Sequence, residues 1–421
     1  MMKLKFNQAY YGWLIVAIAG LGVFFSGPGQ TYSNAQFIDE YIKDFGWSRS
    51  QVSGMYSVAT LVAGLAMIHV GKLIDRFGQR FMMVTVGTLF ATACFFNSIV
   101  SSIWMLAIGF FLIRLLGQGS MTLIPNTLVA QWFVKKRGMA LSFMTLGSFI
   151  SAMAFPIINT WLISTWSWQV AWRFWGVLLL ITFVPIAFFY VRNTPELVGL
   201  KPDGGESNKV KELKLGMGAT VTEAEEDWTL QEAKKTRAFW AILLCVGIPA
   251  MVNTGITFHI TSIFGANGLS YEVAAVVLSL MAVIGIPMSL ISGYLTEQIK
   301  TNHLLLIIFV IELVLLILLL ITRQFWIAVI FGTLWGIANG LERIVLNVIW
   351  PIYFGRKHIG SINGWGVTMG VLGSAFGPLP FGIGFDLFQS YTPVLLLTLV
   401  FPLIGIASAL VAKKPVKIVS V

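Results

Sequence analysis

Six ionisable side chains stand inside otherwise apolar runs of the sequence: Arg114, Glu312, Glu342, Arg343, His69 and His259. At membrane depth a charge costs roughly 3 kcal/mol or more, so each is a candidate for substrate or proton chemistry. Arg343 is the sharpest. Its guanidinium can hold a carboxylate through two parallel hydrogen bonds, and Asn347 lies one turn on along the same helix face. Glu342, a carboxyl stripped of water, suits proton coupling. His259 has an unperturbed pKa near ~6.5 and can also donate to an anion. Plainer roles compete. Arg343 could form an internal ion pair with Glu312 or Glu342, and His259 could serve helix packing. His69, one turn from the end of its run, reads as structural.

The elements that must position these groups follow from composition. The chain has 421 residues, 57% of them hydrophobic and 11% charged, against ~25% charged in an average soluble domain. Mean hydropathy is +0.82. These values exclude a soluble globular chain and a disordered one. The long continuous apolar runs also argue against a β-barrel, whose strands alternate. What remains is a helical membrane protein with about 20 residues per crossing. Twelve spans are expected, at 11–37, 51–72, 80–101, 103–133, 138–164, 169–192, 237–263, 272–297, 302–322, 325–354, 360–387 and 391–412. The polar stretch 193–236 divides them, and it carries the acidic cluster Glu223, Glu225, Glu226 and Asp227. The expected organisation is all-α and integral to the membrane. An N-terminal six-helix bundle (1–192), a cytoplasmic linker (193–236) and a C-terminal six-helix bundle (237–421) make it up. Cys94 and Cys245 have no metal-ligand spacing and read as buried, inert thiols. The 15 tryptophans read mostly as interfacial anchors at helix ends. The basic start and long first apolar run predict an uncleaved first span.

Basic residues set the orientation. With both termini on one side, the loops of that side hold 22 of the 28 Lys and Arg, and the opposite loops hold only Lys43, Arg49, Arg173 and Arg323. The positive-inside rule makes that side cytoplasmic. The net charge of +10 is then topology and points away from nucleic acid as a partner.

The chain also repeats itself. Adding 222 takes Gly46, Ser48, Gly71, Gly138 and Pro156 to Gly268, Ser270, Gly293, Gly360 and Pro378, and Asp75 to Glu297. In between, the offset slips to 221, where Gly119 matches Gly340 and Asn126 matches Asn347. Two homologous six-helix halves in one orientation bind substrate between them at mid-membrane and rock to alternate access. The first span carries a polar break, Gly27-Pro28-Gly29-Gln30-Thr31-Tyr32-Ser33-Asn34. It pairs by the repeat with Asn253, Thr254, Gly255 and Thr257 in the seventh. Polar groups there cannot face lipid. Tyr32 and Asn34 are therefore expected to face the cavity, and Asn126 joins them as the counterpart of Asn347. Gly364-Trp365-Gly366 is a candidate gate or a packing bulge.

At this point the chain resembles the major facilitator superfamily over all twelve spans. Gly71, Asp75, Arg76, Gly78 and Arg80 match that superfamily's loop between spans two and three. The resemblance implies a gating cluster that closes the cytoplasmic side and breaks as the halves rock. The second copy, Gly293 to Glu297, lacks the following arginine. Arg114-Leu115-Leu116-Gly117-Gln118-Gly119 resembles the span-four motif, whose arginine is linked to proton coupling or to helix packing. Span nine, with Glu312, usually packs outside the cavity in this superfamily.

Within the superfamily the chain is similar to the monocarboxylate transporter and oxalate–formate antiporter branch. Tyr11-Gly12-Trp13, Asn126 to Gly138, Arg192 to Glu196, Gly199 to Gly204, Phe258-His259 and Tyr353 to Arg356 carry that likeness. In that branch an arginine often stands in span eight, whereas the stretch Gly285 to Gly293 holds no cation here.

The resemblance implies secondary transport of a small organic anion, with protons or by exchange, across the cell membrane. A monomer is expected, with no cofactor, no metal site and no enzymatic activity. The sequence holds neither a phosphate-binding glycine loop nor His or Cys at metal spacing. Two other readings stay open. One is a transporter of the same fold for a neutral or cationic compound, with Arg343 structural. The other is a transporter-like receptor that binds without moving its ligand.

Overall fold

The computed structural model describes residues 10–205 and 226–417. Glu223 and Glu225 of the acidic cluster lie outside them. Twelve helices are long and apolar enough to cross a membrane. In the first half they are α1 (Tyr11–Ile38), α2 (Gln51–Phe77), α3 (Gln79–Asn97), α4 (Ile103–Trp132), α5 (Arg137–Thr165) and α6 (Trp168–Tyr190). In the second they are α7 (Arg237–Ala266), α8 (Glu272–Gln298), α9 (Thr301–Ile321), α10 (Phe325–Phe354), α11 (Ile359–Phe388) and α12 (Thr392–Val411).

The buried apolar side chains gather into two clusters. One runs from Ile15 to Val191 and takes in Ile344 and Val348 of α10. The other runs from Trp228 to Ala412. Lipid is as apolar as leucine, so helices here associate through close van der Waals packing rather than hydrophobic exclusion. Small residues make the closest crossings. A Cβ added at Gly147 of α5 would lie 2.1 Å from the Gly20 carbonyl of α1. One added at Gly373 of α11 would lie 2.3 Å from the Gly247 carbonyl of α7. Large rings fill the wider gaps. Phe155 stacks on Trp175 at 4.0 Å and Phe37 on Trp172 at 4.5 Å. Trp132, Trp172, Trp175, Trp335 and Trp350 are all fully buried. The interfacial reading of the tryptophans therefore fails for these five, which fill gaps in the bundle. Trp104 and Trp326 remain exposed at helix starts.

Three departures from regular helix matter for the site. α1 breaks at the 3-10 turn Gly27–Gly29, where proline removes a donor. α4 runs π-helical over Arg114–Ser120, a widening that frees backbone groups. α11 is interrupted at Gly377 before Pro378.

Tyr10 and Lys417 mark one end of the bundle, called the terminal end below. The Tyr10 hydroxyl donates to the carbonyls of Trp132 (3.0 Å) and Lys201 (3.1 Å), and burial pushes it up to about 12. Carboxylates flanking the undescribed part of the linker clamp the two matching loops there. Asp203 accepts the backbone N–H groups of Val134, Lys135 and Lys136 at 2.9–3.1 Å. Asp227 accepts those of Arg356 and Lys357 at 3.0 and 3.1 Å.

Candidate functional site

The break in α1 exposes carbonyls that the helix no longer uses, and side chains from elsewhere take them up. Arg114 donates from Nη1 to the Gly29 carbonyl (3.0 Å) and to the Thr31 hydroxyl (3.3 Å). Its guanidinium lies 5.0 Å over the Tyr56 ring, and Tyr56 donates to Thr31 at 3.0 Å. Asn34, buried, donates to the carbonyls of Pro28 (3.1 Å) and Gln30 (2.9 Å). Both side chains brace the break from within the first half. Tyr32 donates to Ser151 of α5 (2.8 Å), which donates to the Phe24 carbonyl (2.8 Å).

The second half repeats this arrangement with different chemistry. The Trp335 indole of α10 donates to Asn253 of α7 (2.7 Å), and Asn253 donates to the Glu342 carboxyl (3.0 Å). At offset 221 Trp335 is the counterpart of Arg114, and at 222 Asn253 is the counterpart of Thr31. Each half thus ties its first helix to its fourth through one donor, an arginine in one case and an indole in the other.

Arg343 stands apart from these braces. It sits about midway along α10 and is solvent-exposed. Its guanidinium lies 5.1 Å over Phe149 of α5, so it points across the gap between the halves. Among the described residues its guanidinium makes no hydrogen bond or ion pair. Glu342, the preceding residue on α10, and the Tyr32 phenol are the ionisable groups near it. Arg343 and Phe149 therefore meet across the two halves, with Tyr32 of the first half near by and Glu342 next to Arg343 in the chain. The Asn347 amide donates back to the Arg343 carbonyl (2.7 Å), and Asn126 donates back to Thr122 (2.9 Å).

His259 lies elsewhere. Its ring stacks on Phe381 of α11 at 5.8 Å. Nδ1 is 3.3 Å from the Tyr391 hydroxyl and Nε2 is 3.3 Å from the Pro378 carbonyl. A carbonyl only accepts, so the contact puts the proton on Nε2 and has Nδ1 accept from Tyr391. Both nitrogens are committed inside the second half.

At the terminal end several contacts clasp the halves: Gln131 of α4 and Arg356 exchange hydrogen bonds with each other's carbonyls (2.6 Å each), and two carboxylates at matching positions of the repeat add to them. Asp75 of α2 accepts from the backbone N–H of Gly360 (2.8 Å) and Ser361 (2.7 Å) and from the Ser361 hydroxyl. This caps the start of α11 in the opposite half, where an anion is favoured. Glu297 of α8 accepts from the Met139 N–H (3.0 Å) at the start of α5. Glycines permit the approach. A Cβ at Gly71 would lie 2.2 Å from the Gly360 carbonyl, and one at Gly138 would lie 2.3 Å from the Gly293 carbonyl. The other residues of the loop motif face their own half or solvent. Gly78 has φ +80 beside Asn193, which accepts from the Arg80 N–H (2.8 Å). The Arg80 guanidinium donates to the Phe188 carbonyl (2.6 and 3.0 Å). Arg76 is exposed beside Phe77. Trp365 packs against Phe239 and under the Lys234 ammonium (3.8 Å), still near the terminal end.

Residues 10–378 match the family model described as Major Facilitator Superfamily. The chain belongs to this superfamily. It is accordingly a multi-pass membrane protein. Monocarboxylate transporter 9 of Mus musculus is 24% identical over 153 residues, 36% of this chain and 30% of that protein. The multidrug resistance protein MdtG of Dickeya zeae (strain Ech586) is 22% identical over 371 residues, 86% of this chain and 85% of that protein. The first curated relatives are matched over less than half of their own length. The proton:xylose symporter XylE, solved with 6-bromo-6-deoxy-D-glucose, aligns with a TM-score of 0.68 at 13% identity. That alignment covers 95% of this chain and 94% of the other, which shows the fold.

Sequence reasoning did not single out Phe149, Ser151, Trp335 or the pairing of Glu297 with Met139. The last was within reach. The offset of 222 that takes Asp75 to Glu297 also takes Gly138 to Gly360, so one clasp implies the other. Nothing in the sequence marked Phe149 as the ring that faces Arg343.

Proposed function

We propose that this superfamily member moves a small organic anion, monocarboxylate-like in size, by alternating access between its halves. The observation that supports this most is Arg343, a solvent-exposed guanidinium at mid-membrane that pairs with no carboxylate among the described residues. A cation in that position needs a counter-charge. A substrate carboxylate can supply it through two parallel hydrogen bonds. Tyr32, on the facing half, is the candidate second contact. Glu342, held by Asn253, is the proton-coupling candidate, so proton symport is favoured over exchange. In this reading the terminal end is cytoplasmic, the Asp75 and Glu297 clasps close it, and the cavity is loaded from the other side. Anchoring in α10 also fits the lack of a cation between Gly285 and Gly293 of α8.

A second reading rests on Phe149. Its ring already covers one face of the guanidinium, which lowers the need for an anion and leaves room for a neutral or cationic aromatic substrate. Calorimetric titration of the purified protein separates the two. With lactate, pyruvate, formate, oxalate and acetate, wild type is expected to bind at least one acid. Arg343→Gln is expected to lose that binding at least tenfold. Acid binding that survives Arg343→Gln at full strength contradicts the anchor.

A further inference from the structure

Between the start of α9 and the end of α12, at the terminal end, lies a cavity of about 680 Å3, a size within the roughly 300–1,000 Å3 of small-ligand sites. It belongs to the second half alone. Residues 296–303 form one wall, Ile352 and Tyr353 of α10 another, and Lys413 and Lys414 stand at its mouth. Its charges are lopsided. Lys300, His303, Lys413 and Lys414 line it, against Glu297 as the one acid among the described residues. Glu297 already accepts the Met139 N–H of the opposite half at 3.0 Å. None of the three ammonium groups has a hydrogen bond or ion pair among the described residues.

Lysines at a membrane surface can simply be solvated, and those just past the end of α12 suit its dipole. Three features go further. Lys300 stands at the N-cap of α9, where the dipole repels a cation. That helix has no side-chain cap and no acid in its first turn, so its leading N–H groups are unanswered at the cavity wall. Thr301 lines the cavity too. It is only 5% exposed, and its hydroxyl has no hydrogen-bond partner among the described residues. The backbone carrying Lys413 and Lys414 is pinned on both sides. Before them Tyr353 donates to the Ala412 carbonyl (2.8 Å). After them Lys417 donates its N–H to Glu226 (3.0 Å) and its ammonium to Glu232 (3.0 Å). Within a turn of His303 and Lys413, towards the membrane, Ile307 of α9 and Leu410 and Val411 of α12 are exposed.

We infer that this cavity holds the headgroup of an anionic phospholipid. Its phosphate meets Lys300, Lys413, Lys414 and the start of α9, and its acyl chains lie along Ile307, Leu410 and Val411. A basic pocket between helices at one face of the bilayer is a setting that retains such headgroups. The unanswered N–H groups and the Thr301 hydroxyl supply donors to phosphate oxygens. A soluble phosphate would meet the same cations but would leave the neighbouring apolar surface unused, so the lipid is the better fit. The site is separate from the groups around Arg343 and does not depend on which substrate is moved.

Native mass spectrometry of the purified, delipidated chain, titrated with one lipid at a time, counts the molecules bound. Dioleoylphosphatidylglycerol is expected to bind one per chain at least about tenfold tighter than dioleoylphosphatidylcholine. A lysine near an anionic lipid is worth roughly fivefold in affinity. The triple variant Lys300→Gln, Lys413→Gln, Lys414→Gln is therefore expected to lose that preference. A second triple, Lys72→Gln, Lys201→Gln, Lys235→Gln, removes the same charge from exposed sites elsewhere at the terminal end and is expected to keep it. Equal binding of the two lipids by wild type overturns the site. So does an equal loss in both triples, which would mean diffuse attraction. Calorimetry with inorganic phosphate separates the sources: phosphate bound as tightly as the lipid overturns the lipid and makes the ligand a soluble anion. Folding is checked by gel filtration. If the first triple fails to fold, Thr301→Val, which removes only the buried hydroxyl, is expected to weaken phosphatidylglycerol several-fold, and unchanged binding there overturns the site.

Discussion

Replacing Asp75 by Asn keeps the shape of the clasp and removes its charge. In the structure the two carboxylate oxygens take the N–H of Gly360, the N–H of Ser361 and the Ser361 hydroxyl. An amide has one acceptor oxygen, and its NH2 must face a backbone donor. Losing a charge-assisted hydrogen bond costs roughly 1.5–3 kcal/mol. Losing an anion at a helix start costs roughly 0.3–1 kcal/mol more. Asp75 is only partly buried, so water recovers part of this, and about 2 kcal/mol is the expected net loss. That corresponds to roughly 25-fold in the equilibrium between closed and open terminal ends. Ser142 reports on it. It is 1% exposed and its hydroxyl lies against Gly293 of the opposite half. In a Ser142→Cys chain whose buried Cys94 and Cys245 are replaced by Ala, a water-soluble maleimide reacts only when that end opens. Asp75→Asn is expected to raise the alkylation rate by roughly 25-fold. An unchanged rate in folded protein refutes the idea that Asp75 holds the halves together.

Three further outcomes are expected. Glu297→Gln keeps an acceptor for the single Met139 N–H, so the same maleimide assay should show a rise of only about two- to fivefold. Arg114→Gln cannot reach both Gly29 and Thr31, and the break in α1 loses its brace. Thermal unfolding in detergent should show a loss of about 1.5–3 kcal/mol, with any bound acid still recognised. Glu232, exposed beyond the membrane, is held down to about 2 by the Thr229 N–H first and the Lys417 ammonium second. Its usual value is ~4.3. The contact is therefore complete above that value and fades as pH falls towards about 2. A carboxyl 13C NMR titration should find Glu232 still ionised at pH 4, and a midpoint near 4.3 would contradict the contact.

Much of the fold was legible because membrane helices obey one strong rule: apolar length. The twelve expected spans and the twelve helices differ mainly at their ends, as with 51–72 against Gln51–Phe77. The helix runs on there until Gly78, whose φ of +80 ends it. The braces were harder to read. Asn34 was expected in the cavity, but its amide turns back to Pro28 and Gln30. Local carbonyls freed by a proline compete for polar side chains, and a sequence pattern shows the break without showing who satisfies it. His259 is similar: its two contacts come from Pro378 and Tyr391, 119 and 132 residues away. Five of the tryptophans were misread because composition alone does not separate a ring at the interface from one filling a gap in the bundle. Arg343 was legible as a charge at membrane depth, and the facing Phe149 was not.

The central claim is that Arg343 anchors an anion during transport, and gradient-driven uptake tests it most directly. Wild type and Arg343→Gln are reconstituted in liposomes with an imposed inward proton gradient and offered labelled lactate, pyruvate, formate, oxalate and acetate. The account expects uptake of at least one acid by wild type, stimulated by the gradient and lost in Arg343→Gln. Wild-type protein that is folded yet moves none of the acids, or Arg343→Gln that moves them equally well, contradicts it.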